Sequence, residues 1–142
     1  MIPNLAVGLL LASEWINDAM SEAMQARGFA RLTRSQAFVM GQLTFGPCRP
    51  AELARRLDIS RQAVQQLLEP MVEMGLIEIH PDPVDRRATV VHPTEFAEEF
   101  GRTAAQELEQ IEQILVTRIG QRDLESLRRI VDKGWGPLPP AR

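Results

Sequence analysis

Between Ser60 and Gln66 the chain gathers Ser60, Arg61, Gln62, Gln65 and Gln66, side chains with one chemistry in common: directional hydrogen bonding to polar edges. An arginine can donate twice to guanine, and a glutamine can both donate to and accept from adenine. Ser60 and the first-turn amides that follow it can hold a phosphate at the positive end of a helix. Arg55 and Arg56 are within reach of backbone phosphates, contacts that fix position without reading sequence. A second basic pair, Arg86 and Arg87, is spaced to enter a narrow minor groove, with Asp85 close enough to orient one of them. Any one of these groups alone is ordinary solvated surface. Together they point to double-stranded DNA.

The elements that must position these residues are legible from Arg49 to Thr94. Pro50 fits the first turn of a short helix through Leu57, although Arg49 is a poor cap that leaves its start open to fraying. After the turn Leu57-Asp58-Ile59, Ser60 is a good N-cap for a longer helix. Val64, Leu67, Leu68 and Met71 recur there at i, i+3, i+4 and i+7, opposite the polar residues above. Gly75 closes that helix. Leu76 to His80 and Ala88 to His92 are predicted strands, rich in Ile, Val and Thr. Pro81-Asp82-Pro83 and Asp85 make the connection a turn, too polar to be buried. Helix, turn, capped helix and hairpin in this order form a helix-turn-helix with a β-hairpin wing, which places a helix in the major groove.

Helical spacing continues on both sides of this segment. Leu5, Leu9, Ala12, Ile16, Met20 and Met24 form one stripe of a helix from Leu5 to Arg27, and Leu11 with Trp15 begins a second. Thr33 and Gln36 make a capping box for a helix to about Phe45, burying Val39, Met40 and Leu43. Thr94 can cap a long helix to about Ile119 with Phe100, Ala104, Leu108, Ile111 and Leu115 along one side. A last helix from about Arg122 to Lys133 presents Leu124, Leu127, Ile130 and Val131. The fold class is therefore mainly α with a small β-hairpin wing: six helices, no internal repeat. The helix from Glu95 to Ile119 would be ~37 Å long at 1.5 Å per residue, longer than a small domain is wide. Its stripe and those of the terminal helices are best buried against a second copy, so a two-fold homodimer through both chain ends is expected. A monomeric bundle in which these helices cover one another is the other arrangement.

Composition excludes more than it selects. At 142 residues the chain suits one domain, and no linker divides it. The apolar run from Leu5 to Ala12 is too short to span a bilayer, which needs ~20 apolar residues. It lacks the positive start of a signal peptide, since the first basic residue is Arg27. One cysteine, Cys48, excludes an intramolecular disulfide and fits a reducing, cytoplasmic setting. Arg49 beside it could lower the thiol pKa. His80 and His92 would not pair directly in an in-register hairpin and have no third ligand near in sequence, so no metal site is expected. No phosphate loop, dinucleotide motif or nucleophile elbow is present, and neither a cofactor nor a catalytic residue is assigned. Trp15, Phe38 and Phe45 could line a ligand crevice, although aromatics at helical spacing more often form core. Net charge is −3, and from Arg49 to His92 six arginines face seven acids, leaving −1. DNA binding must then depend on where the arginines sit rather than on a broad basic field.

From about Thr33 to Ala97 the chain resembles the MarR family of winged-helix transcriptional regulators. The carriers are SQAFVMGQL, AELARRLDISRQAV, GLIE and DPVDRRATVVHPT. The resemblance implies an obligate dimer with interleaved terminal helices, binding a pseudo-palindromic operator. It also implies a repressor released when a small aromatic or phenolic effector enters the crevice between dimer helices and lobe. By position, Arg87 matches the wing arginine, Asp85 its bracing carboxylate, and Ser60 to Gln66 the base-reading part of the recognition helix. The domain reading is a single unit over 1–142, with the winged lobe at 33–93 and dimerisation helices at 1–30 and 94–135. Two residues depart from the family pattern. Pro70 lies inside the recognition helix, where it removes the bond to the Gln66 carbonyl at a cost of ~3 kcal/mol or a kink. Pro93 stands where leucine is usual. A winged-helix protein-interaction module that has lost operator binding is the alternative function, favoured by the acidic balance and Pro70.

Overall fold

The computed structural model describes residues 1 and 4–140. Its described elements run α1 (Leu5–Ala26), α2 (Arg34–Leu43), α3 (Pro50–Leu57), α4 (Arg61–Glu73), β1 (Ile77–Pro81), β2 (Thr89–Pro93), α5 (Glu95–Ile119) and α6 (Gln121–Asp132). This is the expected winged helix-turn-helix order, with each strand displaced one residue toward the C-terminus.

Local side-chain chemistry sets most of the helix starts. Asn4 accepts the Val7 amide at 3.0 Å to cap α1, and Ser60 accepts the Ala63 amide at 3.1 Å to cap α4. Thr33 and Gln36 exchange both bonds of a capping box at the start of α2. Thr94 accepts the Ala97 amide at 3.1 Å and donates its hydroxyl to the Gly75 carbonyl, tying the start of α5 to the end of α4. The α3 start has Pro50 and no side-chain cap, as the sequence suggested. Asp58 closes α3 at φ 53°, ψ 49°, a left-handed conformation that aspartate tolerates better than most residues. That single residue makes the sharp turn into α4. α2 ends at Leu43, two residues early, and Phe45 is 90% exposed rather than core.

Val39, Leu43, Leu53, Val64, Leu68, Met71, Leu76, Ile77 and Val91 form the buried core that joins α2, α3, α4 and the hairpin. Burying each such side chain contributes roughly 2 kcal/mol relative to exposure, so this cluster holds the helix-turn-helix and wing together. The hairpin pairs Ile77 with Pro93, Glu78 with His92, Ile79 with Val91, His80 with Val90 and Pro81 with Thr89. Cys48 adds a single-residue rung outside it, donating its amide to Val91 at 3.2 Å and accepting the Val91 amide at 2.8 Å. Helix α4 continues unbroken through Pro70, whose ring is exposed and whose carbonyl accepts the Met74 amide at 2.9 Å.

The chain divides within α5 into two compact units, Met1–Glu107 and Leu108–Arg142. In the first, Phe29 packs on Phe96 and edge-on against Phe100, with ring centres 5.6 and 5.2 Å away, and Arg27 pairs with Glu107 at 3.1 Å. In the second, Ile111 and Leu124 are buried and Arg128 pairs with Glu112. Along α1 only Met24 is buried, while Leu5, Leu10 and Leu11 stay exposed. Ile130, Val131, Trp135 and Leu138 are also exposed.

Candidate nucleic-acid interface

Helix α4 divides its side chains as the spacing predicts. Val64, Leu68 and Met71 are buried, while Arg61, Gln62, Gln65 and Gln66 are exposed around the Ser60 cap. Gln65 donates to Glu69 at 3.2 Å, so its side-chain amide is already engaged within the helix. Gln62 and Gln66 make no side-chain bond to another described residue. Arg61 and Gln65 from α4 line one groove together with Ile79 and Thr89 from the hairpin. The outer part of α4 and the hairpin therefore border a common surface, which Glu69 and Glu73 also line. On α3, Arg55 is exposed, whereas Arg56 is engaged by Glu52 at 3.0 Å and by Gln42. Arg55 is the freer of the two to meet a phosphate.

The wing tip is built around a residue whose role the sequence did not reveal. Asp82, expected in a solvated turn, is only 6% exposed. Its Oδ1 accepts the Val84 amide at 2.8 Å and the Asp85 amide at 3.2 Å, and its Oδ2 accepts from the Arg49 guanidinium. These partners replace the lost water. The two backbone amides foremost, and Arg49 after them, hold the Asp82 carboxyl below its usual pKa against the opposing effect of burial. Arg49, a poor cap for α3, instead reaches across to the wing. Asp85 accepts the Arg87 backbone amide at 3.0 Å. It braces the main chain of Arg87, where the sequence suggested that it would orient a guanidinium. Arg86 and Arg87 are exposed, and no ion pair engages either guanidinium among the described residues.

Neighbouring groups with reactive chemistry have quieter roles. Burial pushes the Cys48 thiol above its usual pKa, Glu52 adds to the rise, and Arg56 opposes it. Arg49, whose charge could have lowered it, instead donates its guanidinium to Asp82. His80 and His92 occupy different rungs of the hairpin, yet their rings meet diagonally with centres 5.2 Å apart, and Glu78 contacts His80 at 3.0 Å. Among the described residues, no group of three or more His, Cys, Asp or Glu is placed to hold a metal ion. None of the described helices is long and apolar enough to cross a membrane.

Residues 32–88 match a family model described as MarR family. No curated protein sequence gives a significant match. Solved structures do. The reduced form of MarR from E. coli superposes with a TM-score of 0.80 at 20% identity, covering 96% of this chain and 99% of that one. YusO from Bacillus subtilis gives 0.67 at 20% identity, over 90% and 89%. A MarR transcriptional regulator from Methanosarcina mazei gives 0.70 at 14% identity, over 88% of each. At these identities the superpositions establish the fold.

Proposed function

Proceeding from a chain with the MarR-family fold and a MarR-family winged segment at residues 32–88, we propose that it is a dimeric, sequence-specific DNA-binding repressor. The observation that carries this reading is the pairing of two exposed elements on one surface. A Ser60-capped helix presents Arg61, Gln62, Gln65 and Gln66, of which Arg61 and Gln65 share a groove with Ile79 and Thr89 of the hairpin. The exposed Arg86 and Arg87 of the hairpin connection have no acidic partner among the described residues. In this reading α4 enters the major groove, Arg87 enters the adjacent minor groove, and Ser60 and Arg55 hold phosphates. The lobe at 33–93 reads DNA, while the helices within 1–30 and 94–135 join two copies on a pseudo-palindromic operator. A small aromatic or phenolic effector that favours a different spacing of the two lobes would release the DNA. The chain performs no catalysis and works in the cytoplasm.

Fluorescence anisotropy with DNA from the gene's own promoter region, repeated at several salt concentrations, tests this. Saturable nanomolar binding is expected, lost in Arg87→Ala. Because the lobe carries −1 from Arg49 to His92, random DNA should bind weakly and the salt dependence should be modest. The same charge, with Gln65 held by Glu69, favours a second reading: a winged-helix module that docks a protein partner. Equal affinity for promoter and random DNA at low salt would select that module.

A further inference from the structure

We propose that Arg49 is a positioning residue that sets the wing tip against the helix-turn-helix, acting through Asp82. The inference rests on the DNA-binding reading above and adds how the minor-groove arginines acquire a fixed place.

The geometry forms a continuous relay. Arg49 immediately precedes α3, so its backbone is fixed by the helix-turn-helix. Its guanidinium donates to Asp82 Oδ2, leaving Oδ1 to accept the amides of Val84 and Asp85. Asp85 passes the constraint on, since its carboxylate takes the Arg87 amide and its carbonyl takes the Ala88 amide at 2.9 Å. Asp82 closes the loop by donating its own amide to the Ala88 carbonyl at 2.9 Å. The residue before Arg49 contributes as well: Cys48 is bonded through both backbone groups to Val91 of β2. The Cys48-Arg49 pair therefore holds the wing at its strand and at its tip.

Apolar packing cannot do this work at the tip. Val84 is 91% exposed, and every residue from Pro83 to Arg87 is exposed. Without the Asp82 bonds, the tip would have a β-turn's few local contacts and a wide choice of directions. Arginine suits the task because its planar fork stays charged and directional, and here half of the Arg49 side chain remains in water while Asp82 is buried. Such a half-exposed pair adds little to global stability. Its effect falls on where the tip points.

The test uses the full-length protein in three variants: Arg49→Met, Arg49→Lys and Asp82→Asn. Backbone ¹⁵N relaxation is measured without DNA, and promoter binding is measured by anisotropy. In Arg49→Met the Val84, Asp85 and Arg87 amides should lose order, and specific binding should weaken about tenfold, the size expected for losing one charge-assisted hydrogen bond. Helix content and dimer mass should not change. Arg49→Lys keeps the charge and should recover part of both effects. Asp82→Asn keeps a carbonyl for the two amides but loses the ion pair, so it should show the same loss of order and affinity, and it decides the matter if Arg49→Met folds poorly. Wild-type tip order in Arg49→Met and Asp82→Asn, or lost order with unchanged affinity, overturns the proposal. If the wild-type protein prefers no DNA, the operator reading fails, and the relaxation arm alone still decides whether the brace exists.

Discussion

The Asp82 carboxylate accepts from two backbone amides and a guanidinium, and all three favour its ionised form. Its folded pKa is therefore depressed below the ordinary aspartate value of about 3.9 in an unfolded chain. A depressed value contributes stability that is present above the unfolded pKa and lost as pH falls through the folded one. Urea unfolding should then show a stability difference between the wild type and Asp82→Asn that is constant above about pH 5 and shrinks below about pH 4. A difference independent of pH down to acid unfolding would show that the charge contributes nothing. Asp82 also marks where sequence reading stops at this scale. An aspartate between two prolines has the composition of a solvated turn, and its partner Arg49 lies 33 positions away, beyond any local pattern. Arg61, Gln62, Gln65 and Gln66 were legible because their exposure follows directly from the apolar spacing of Val64, Leu68 and Met71 beside them.

Among the elements, α4 contains a conflict between local preference and tertiary packing. Pro70 lies inside it, with no amide to offer the Gln66 carbonyl, yet the helix runs on to Glu73. The physical reason is packing on both sides of the defect: Leu68 and Met71 are buried in the core and hold the backbone helical across it. Pro70 itself is exposed, so replacing it costs no packing. Pro70→Ala should restore the bond and raise stability by about 1–3 kcal/mol, several degrees in thermal unfolding. An unchanged or lowered melting temperature would mean that the helix is already relieved in another way. Caps were the most legible part of the fold, because the Thr33–Gln36 box and the Ser60 and Thr94 caps each act within three residues. The Cys48–Val91 rung was not, since a lone cysteine after Gly-Pro has no strand pattern and its partner is fixed only by the folded lobe. The same distance effect explains why Arg49 looked merely like a weak cap.

At the scale of the whole molecule, the apolar surface at both chain ends bears on whether two lobes act together in the proposed DNA binding. Leu5, Leu10 and Leu11 on α1, and Ile130, Val131 and Trp135 on α6 and just beyond it, are each between 48% and 72% exposed in a single chain. So much apolar surface near the two chain ends exceeds what scattered exposed residues explain, and burying it against a second copy is the simplest remedy. Joining two lobes makes the second half-site contact intramolecular. Avidity can then exceed the single-lobe affinity by roughly 10²–10⁴ without any new base contact. That gain suits a lobe lacking a basic field, because each half-site can stay weak while the pair discriminates. Leu10→Asp combined with Ile130→Asp should halve the mass seen by light scattering and weaken operator binding at least about 100-fold. Ile77, Val91 and the rest of the lobe core lie outside the substituted positions, so the amide spectrum of the winged segment should persist. A double variant that stays dimeric would move the interface elsewhere. A monomer that binds the full operator as tightly as wild type would show that one winged lobe suffices, and the two-fold arrangement of α4 helices would lose its purpose.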